Sequence, residues 1–397
     1  MTKQHRTQIL VVLAVVGLAL NLRPALAAIG PLLDLIEGAT GMSSTQTSLL
    51  TTLPVLVMGV CALAGGRIRQ WLGEQHGIGA GIALIAIACG VRYTATGSSG
   101  LLATAIVAGM GIALVQTLLP AFIKRCFGTQ AGRILALYTT GIMGGAAVAA
   151  ASAAGLAQAW DWPLALAIWA VPAALAVPLW YLAVALDRKA APLPTSVQLH
   201  AAAFWRNGRA WQLMLFFGIG TGAYTLVLAW LPPFYISLGW QPAAAGFLLG
   251  GLTVTEVIAG LAVSALIGRF PDRRKPLLTV LAMLLAGLVC LIVAPLPLAL
   301  VASLLLGLGI GALFPLSLIV TLDHVDNPAR AGELASFVQG GGYIIASVMP
   351  LLAGILRDQF ADLSQAWLVM AVGVVGLIAL SWRFSPASYG RINADQR

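Results

Sequence analysis

Charged side chains are scarce in this sequence. Asp, Glu, Lys and Arg make up only 9% of the 397 residues, whereas a soluble domain carries about 25%. Hydrophobic residues make up 60%, and the mean hydropathy is +0.94. This composition excludes an ordinary soluble protein and leaves no room for a large domain outside the membrane. It predicts a polytopic membrane protein whose length is taken up by helices of about 20 residues and short loops.

Cysteine and histidine are also rare, with four residues of each. The cysteines lie in or beside apolar runs and form no CxxC pair, which argues against a disulfide framework and against a metal site. The histidines fall in or beside loops, and the chain contains no HExxH, GxSxG or Walker A motif. We therefore expect neither an enzyme nor an ATP-driven pump, and no cofactor.

Twelve apolar runs are long enough to cross a bilayer as helices. They are Gln8–Ile36, Gln46–Gly66, Gly77–Tyr93, Leu101–Ile123, Gly132–Ala157, Pro163–Leu186, Trp211–Leu238, Ala243–Ile267, Pro276–Ala294, Leu298–Asp323, Glu333–Leu356 and Gln365–Phe384. The predicted fold class is therefore an all-α membrane protein with twelve transmembrane helices.

The basic residues are distributed unevenly among the loops. Of the 22 Lys and Arg residues, all but Arg23, Arg92 and Arg357 fall in segments that are cytoplasmic if the N-terminus is inside. The positive-inside rule thus predicts cytoplasmic N- and C-termini. The basic N-terminus resembles a signal peptide, but Arg23 interrupts its apolar run and many spans follow, so we predict an uncleaved first helix. The net charge of +9 then reflects topology and not nucleic-acid binding.

A polar, proline-containing segment divides the spans six and six. We predict an N-terminal bundle at 1–186, a cytoplasmic linker at 187–210 and a C-terminal bundle at 211–397.

Short motifs recur in the two halves at a nearly constant offset. Ala108–Ala113 matches Leu306–Gly311, and Ala136–Gly141 matches Ala335–Gly340. Parallel six-helix repeats imply a pseudo-twofold axis along the membrane normal, with the solute site between the halves. The sequence therefore predicts two pseudo-symmetric bundles that expose the solute site alternately to each side of the membrane. We expect the protein to function as a monomer in the lipid bilayer.

Arg23 is the main candidate for a binding residue. It lies about fifteen residues into the first run, which corresponds to the middle of a bilayer, where an arginine costs at least about 2.5–3.5 kcal/mol. Pro24 removes a backbone donor, frees the carbonyl near Leu20 and disfavours helical geometry at Arg23. A fixed cation beside a loosened helix predicts an anion site. The alternative is an arginine that is paired with a helix end or a carboxylate for packing alone.

Other polar residues at membrane depth could complete such a site or could join helices by hydrogen bonds. The candidates for substrate contact are Asn21, Gln116, Tyr138, Tyr224, Gln339 and Tyr343.

Glu256 is the carboxylate in the middle of a predicted span. Thr253 and Gly260 share its helical face, so we expect it to point inward. It could be a protonatable coupling group, the counter-charge of Arg23, or a protonated side chain hydrogen-bonded within one bundle.

The cytoplasmic loop after Gly268 carries Asp272, Arg273 and Arg274, which resemble the Gly-x-x-x-Asp-Arg-x-Gly-Arg signature of the major facilitator superfamily. The resemblance implies a latch between neighbouring helices on the cytoplasmic side. The corresponding loop of the first half contains Arg67 but has Gln70 at the acidic position. A basic loop that only fixes topology would explain the bases but not Asp272.

Motifs in the same order along nearly the whole chain resemble the cyanate permease family of that superfamily. They are Asn21–Pro24, Leu50–Pro54, Ile123–Arg125, Ala229–Tyr235, Asp272–Lys275 and Phe314–His324. The resemblance implies a bacterial inner-membrane carrier for cyanate or a related small solute, and it brings Arg23 and the Lys124–Arg125 pair forward as matching positions. It does not extend to Glu256.

Two other functions remain open at this point. The same family contains carriers associated with 2-nitroimidazole export, so a small drug-like solute is the alternative substrate, and a large aromatic-lined cavity would favour it. A membrane sensor or scaffold would need neither a central cation nor a twofold repeat.

Overall fold

Twelve helices in the computed structural model are long and apolar enough to cross a membrane, which confirms the predicted number of spans. The structure describes residues 3–186, 204–325 and 328–389, so most of the predicted linker at 187–210 lies outside it. The spans are TM1 Gln8–Thr40, TM2 Ser44–Leu63, TM3 Glu74–Val91, TM4 Ser98–Phe127, TM5 Ala131–Ala159, TM6 Trp162–Leu186, TM7 Gly208–Ser237, TM8 Pro242–Arg269, TM9 Arg274–Val293, TM10 Ala299–Asp323, TM11 Arg330–Phe360 and TM12 Ser364–Ser381.

Polar residues cap several of these helices at their first turn. Ser43 and Gln46 form a reciprocal capping box at the start of TM2, and Asp161 accepts a hydrogen bond from the amide of Leu164 at the start of TM6. The side chain of Asn207 accepts from the amides of Arg209 and Ala210 at the start of TM7. Such caps satisfy amides that have no partner within their own helix, and they explain why the helices begin where they do.

The helices pack in the same pattern in both halves. TM4 contacts TM2 and TM3 in the first half, and TM10 contacts TM8 and TM9 in the second. TM1 packs against TM5 as TM7 packs against TM11, and TM3 contacts TM6 as TM9 contacts TM12. The repeated motifs in TM4 and TM10 therefore occupy equivalent places, as expected for parallel repeats.

Each half has an ion pair at an equivalent position, but the acid and the base are exchanged between the two halves. Glu74 at the start of TM3 accepts from Arg125 at the end of TM4, with 2.7 Å between the atoms. In the second half Arg273, beside the start of TM9, donates to Asp323 at the end of TM10 at 2.8 Å. The acid and the base have changed places at positions 199 and 198 residues apart (273 − 74 and 323 − 125). Each pair joins two helices within its own half.

The two halves meet mainly through two helix pairs, TM2 with TM11 and TM5 with TM8, and the second part of TM1 also contacts TM7 and TM8. We call the end where TM1 ends and TM2 begins the outer end, because the charge distribution predicts it to be outside. There Asp358 of TM11 accepts hydrogen bonds from the amides of Ser44 at 2.9 Å and Thr45 at 2.8 Å. A carboxylate of one half thus caps the first turn of a helix of the other half.

Candidate functional site

The backbone of TM1 is broken where the sequence predicted it. The first helix ends at Leu20, residues 21–23 form a turn, and a short helix covers Pro24–Ala27. The freed carbonyl of Leu20 faces Gly145 of TM5, where any side chain would collide with it. A glycine is therefore required at this close approach. Arg23 lies at the N-cap position of the short helix, and its carbonyl accepts from the amides of Leu26 and Ala27.

The side chain of Arg23 is buried inside the protein, with 5% of its surface exposed. Its guanidinium carbon lies 5.3 Å from the centre of the Tyr224 ring of TM7, which is a cation–π distance. Its charge also acts on the hydroxyl groups of Tyr138 in TM5 and Tyr343 in TM11, and on the carboxyl group of Glu256 in TM8. Arg23 thus faces groups from both halves and not the lipid.

Arg23 and its neighbours carry buried hydrogen-bonding atoms that are not used within the described residues. The hydroxyls of Tyr138 and Tyr224, one carboxylate oxygen of Glu256 and Nε of Arg23 are all buried, and they have no hydrogen-bond partner among the described residues. A buried polar atom without a partner costs about 1–3 kcal/mol. Several such atoms around one guanidinium form a set of donors and acceptors that suits a small polar solute.

The five residues that the structure brings together come from five spans. Arg23 and Tyr138 belong to the first half, while Tyr224, Glu256 and Tyr343 belong to the second. We call this group the central cluster. All five residues are less than 10% exposed, so the cluster lies inside the protein.

The remaining substrate-contact candidates lie elsewhere or are less buried. The amide of Asn21 donates to the carbonyls of Gly17 at 2.8 Å and Pro172 at 3.4 Å, so it joins TM1 to TM6 within the first half. Gln116 in TM4 and Gln339 in TM11 are half-buried. Contact of these three residues with a substrate stays a prediction.

The predicted latch residues form two ion pairs in the second half. Asp272 accepts from Arg274 at 2.6 Å, and this bond holds the pKa of the Asp272 carboxyl below its usual range. Arg273 donates to Asp323 and also to the backbone carbonyls of Ile267 and Phe270. Arg273 therefore connects the end of TM8 with the start of TM9 and the end of TM10, whereas Arg274 pairs within the loop. Arg67 of the first half is exposed on the short helix Gly65–Leu72.

Three further arginines are buried or paired in ways that the sequence did not predict. Arg125, which the family resemblance brought forward, is paired with Glu74. Arg92 is buried at the outer end of TM3, and Arg357 binds Asp34 across the halves. The signal for the last two was available, because both break the positive-inside pattern as Arg23 does.

Comparisons with known proteins agree with this architecture. The family model of the Major Facilitator Superfamily matches residues 9–347 and, in a second match, residues 237–396. The chain is similar to the cyanate transport protein CynX of Escherichia coli (strain K12), with 36% identity over 96% of this chain and 98% of the relative. It is also similar to the 2-nitroimidazole transporter of the same organism, with 32% identity over 94% of each chain.

Solved structures show the same fold at low sequence identity. A D-xylose–proton symporter matches with a TM-score of 0.74 and 15% identity, over 96% of this chain and 98% of that chain. The nucleoside transporter NupG (D323A mutant) matches with a TM-score of 0.77 and 12% identity, over 94% of this chain and 99% of that chain.

Proposed function

Because the chain belongs to the major facilitator superfamily and is a secondary transporter of that type, we propose that it carries a small anion, cyanate, by alternating access around the central cluster. The observation that carries the proposal is the position of Arg23. Its buried guanidinium lies between the two halves, beside several polar atoms that have no hydrogen-bond partner within the described part of the chain. Relatedness to a cyanate transport protein supports the choice of anion.

The chemistry of the cluster suits a small anion. Cyanate is a linear monoanion whose ends accept hydrogen bonds, and a guanidinium donates charge-assisted bonds from several nitrogens. The hydroxyls of Tyr138 and Tyr224 are further donors beside it.

Glu256 gives the site a second charge. A carboxylate in a buried site has to be neutralised by a proton or by a nearby cation, and the charge within reach of Glu256 is that of Arg23. A bound anion competes for that same guanidinium. We therefore assign Glu256 the role of a coupling group, which takes up a proton when the anion binds to Arg23.

The experiment is the uptake of radiolabelled cyanate into liposomes that contain the purified protein. In Arg23→Ala, the loss of one charge-assisted bond of about 1.5–3 kcal/mol should raise KM by about 10- to 150-fold. Arg23→Lys keeps the charge and should raise KM less. The matched control is Arg133→Ala, which removes an exposed arginine at the cytoplasmic start of TM5 and should leave KM unchanged. An unchanged KM in Arg23→Ala would overturn the proposal.

The same liposomes test the alternative substrate and the non-transporting alternative. The similarity to a 2-nitroimidazole transporter keeps that solute as a second candidate. Uptake of 2-nitroimidazole in place of cyanate, unaffected by Arg23→Ala, would support it. A sensor or scaffold would give no flux of either solute above that of protein-free liposomes.

A further inference from the structure

Ala25 lies in the broken part of TM1, and no backbone amide of the described residues bonds to its carbonyl. The amide of Ala28 bonds to the carbonyl of Pro24 at 3.1 Å, but the next amide, that of Ile29, bonds to Leu26 at 3.2 Å. The spacing of the hydrogen bonds thus shortens from four residues to three at this point, and the carbonyl of Ala25 is skipped. A carbonyl without a partner inside a membrane protein costs several kcal/mol, so another donor is expected.

The side chain of Arg92 supplies that donor. Its Nη1 lies 2.7 Å from the carbonyl oxygen of Ala25, and its Nε lies 3.2 Å from the hydroxyl oxygen of Thr104 in TM4. The side chain is 1% exposed, and among the described residues its Nη2 has no hydrogen-bond partner. A buried guanidinium is costly, and here carbonyl and hydroxyl dipoles compensate for it. Arg92 therefore contacts the broken segment at Ala25, which follows Arg23 by two residues in the sequence.

The second half provides an internal comparison. TM7, which corresponds to TM1, is one continuous helix over Gly208–Ser237 and has no broken turn. At the offsets of 198 and 199 residues that relate the halves, the counterparts of Arg92 are Cys290 and Leu291, and neither is basic. The buried arginine accompanies the broken helix and is absent where the helix is continuous.

We propose that Arg92 is a positioning residue of the substrate site, which holds the short helix Pro24–Ala27 by its bond to Ala25 and thereby orients the guanidinium of Arg23. The inference rests on the proposed function, because it assumes that Arg23 binds the transported anion. It adds a residue outside the central cluster on which the affinity for that anion depends.

Cyanate transport kinetics test this role. In Arg92→Met we expect KM to rise about tenfold, with the maximal rate within about twofold of the wild type, because the binding geometry is lost while the fold is kept. Arg92→Lys retains one donor for Ala25 and should give an intermediate KM. The matched control is Arg209→Met. Arg209 is also a buried arginine that donates to a backbone carbonyl, that of Arg383 at 2.6 Å, but it lies at the cytoplasmic end of the second half. It should leave KM unchanged.

A double-mutant cycle distinguishes positioning from a separate effect. If Arg92 acts through Arg23, then Arg92→Met should not raise KM further in an Arg23→Ala background. Fully additive effects would overturn the proposal, as would a wild-type KM in Arg92→Met. If Arg23→Ala itself transports with the wild-type KM, the proposed function fails. Hydrogen–deuterium exchange, described next, then tests independently whether Arg92 holds the broken segment.

Hydrogen–deuterium exchange of the segment 18–32 needs no substrate. Arg92→Met should speed exchange in this segment by about tenfold relative to the wild type and to Arg209→Met, because the loss of a bond worth about 1.5 kcal/mol favours local opening. Unchanged exchange would overturn the proposal whatever the solute. If Arg92→Met does not fold, Arg92→Lys carries both measurements, with smaller changes in the same direction.

Discussion

Arg357 in TM11 donates a hydrogen bond to Asp34 in TM1, with 2.7 Å between Nη2 and Oδ1. Its other terminal nitrogen lies 3.7 Å from a carboxylate oxygen of Glu37, and its guanidinium lies 5.4 Å from the centre of the Trp230 ring. TM1 belongs to one half and TM11 to the other. These contacts, together with the capping of TM2 by Asp358, hold the outer ends of the two halves together.

Removal of the contacts that Arg357 makes should favour separation of the two halves at the outer end. In Arg357→Met we expect a cysteine placed at Ser48, which is buried beside Gly354 of TM11, to react about two- to fivefold faster with a polar thiol reagent. The range is modest because the ion pair is partly exposed and therefore screened. The native cysteines are replaced first. The exposed Lys275, at the opposite end, provides the control Lys275→Met. Equal labelling rates in wild type and Arg357→Met would contradict a closing role.

Gly311 in TM10 lies directly against the backbone of Glu256, so that a side-chain carbon there would collide with it. Gly311→Ala should lower the free energy of unfolding by about 1–3 kcal/mol, since overpacking forces the two helices apart. The midpoint of thermal unfolding in detergent measures the effect. Gly251 in TM8 is the matched control, because a methyl group there meets no atom within 4 Å. Gly251→Ala should be neutral or slightly stabilising. Similar midpoints for both variants would mean that TM10 moves away without cost.

His324, just after TM10, should make stability depend on pH. The pKa of its imidazole is lowered to about 4, mainly by burial and in part by the nearby charge of Arg209. The bond between Nδ1 and the carbonyl of Val320 and the charge of Asp323 act in the opposite direction. The unfolded chain titrates near 6.5, so between these values it binds more protons than the folded protein. The contribution of His324 is therefore fully present above pH 6.5 and is lost as the pH falls toward 4.

The measurement is the unfolding midpoint at pH 7.5 and at pH 4.5. The wild type should lose about 2–3 kcal/mol more than His324→Phe over this range, since phenylalanine cannot bind a proton. The phenylalanine ring fits between Phe384 and Tyr389, which already contact the imidazole. An equal loss in both proteins would place the acid sensitivity on other groups.

The sequence predicted features that follow from local chemistry. A proline after a buried arginine indicates a broken helix wherever the helix lies, and long apolar runs indicate spans. The partner of Arg92 could not be predicted in this way, because it is the backbone carbonyl of Ala25, which carries no signature in the side chain. The pairing of Arg357 with Asp34 depends on which helices of the two halves meet, and that is decided by packing. Arg92 and Arg357 stand out in the sequence as exceptions to the positive-inside rule, but that rule does not predict which groups they bind.

Glu256→Gln is the variant that tests proton coupling. The glutamine has the size of a protonated glutamic acid but cannot release a proton. If Glu256 must be protonated when the anion binds to Arg23, acid on the uptake side should speed wild-type cyanate uptake. Uptake by Glu256→Gln should then be the same with and without a pH gradient. Initial rates at external pH 6 and 7.5, with the internal pH held at 7.5, measure the difference.

Two controls make this comparison specific. Protein-free liposomes give the background from cyanic acid that crosses the lipid unaided, and this background is subtracted at each pH. Asp362→Asn removes an exposed carboxylate at the outer end, where asparagine can still accept from the amide of Ser364, and it should keep the wild-type response. A response to the pH gradient that persists in Glu256→Gln would assign the coupling to another group. A wild type that does not respond to the gradient would overturn the coupling role of Glu256, because a carboxyl group that keeps one protonation state through the cycle moves no proton. Glu256 would then be either the ionised counter-charge of Arg23 or a protonated side chain within one bundle.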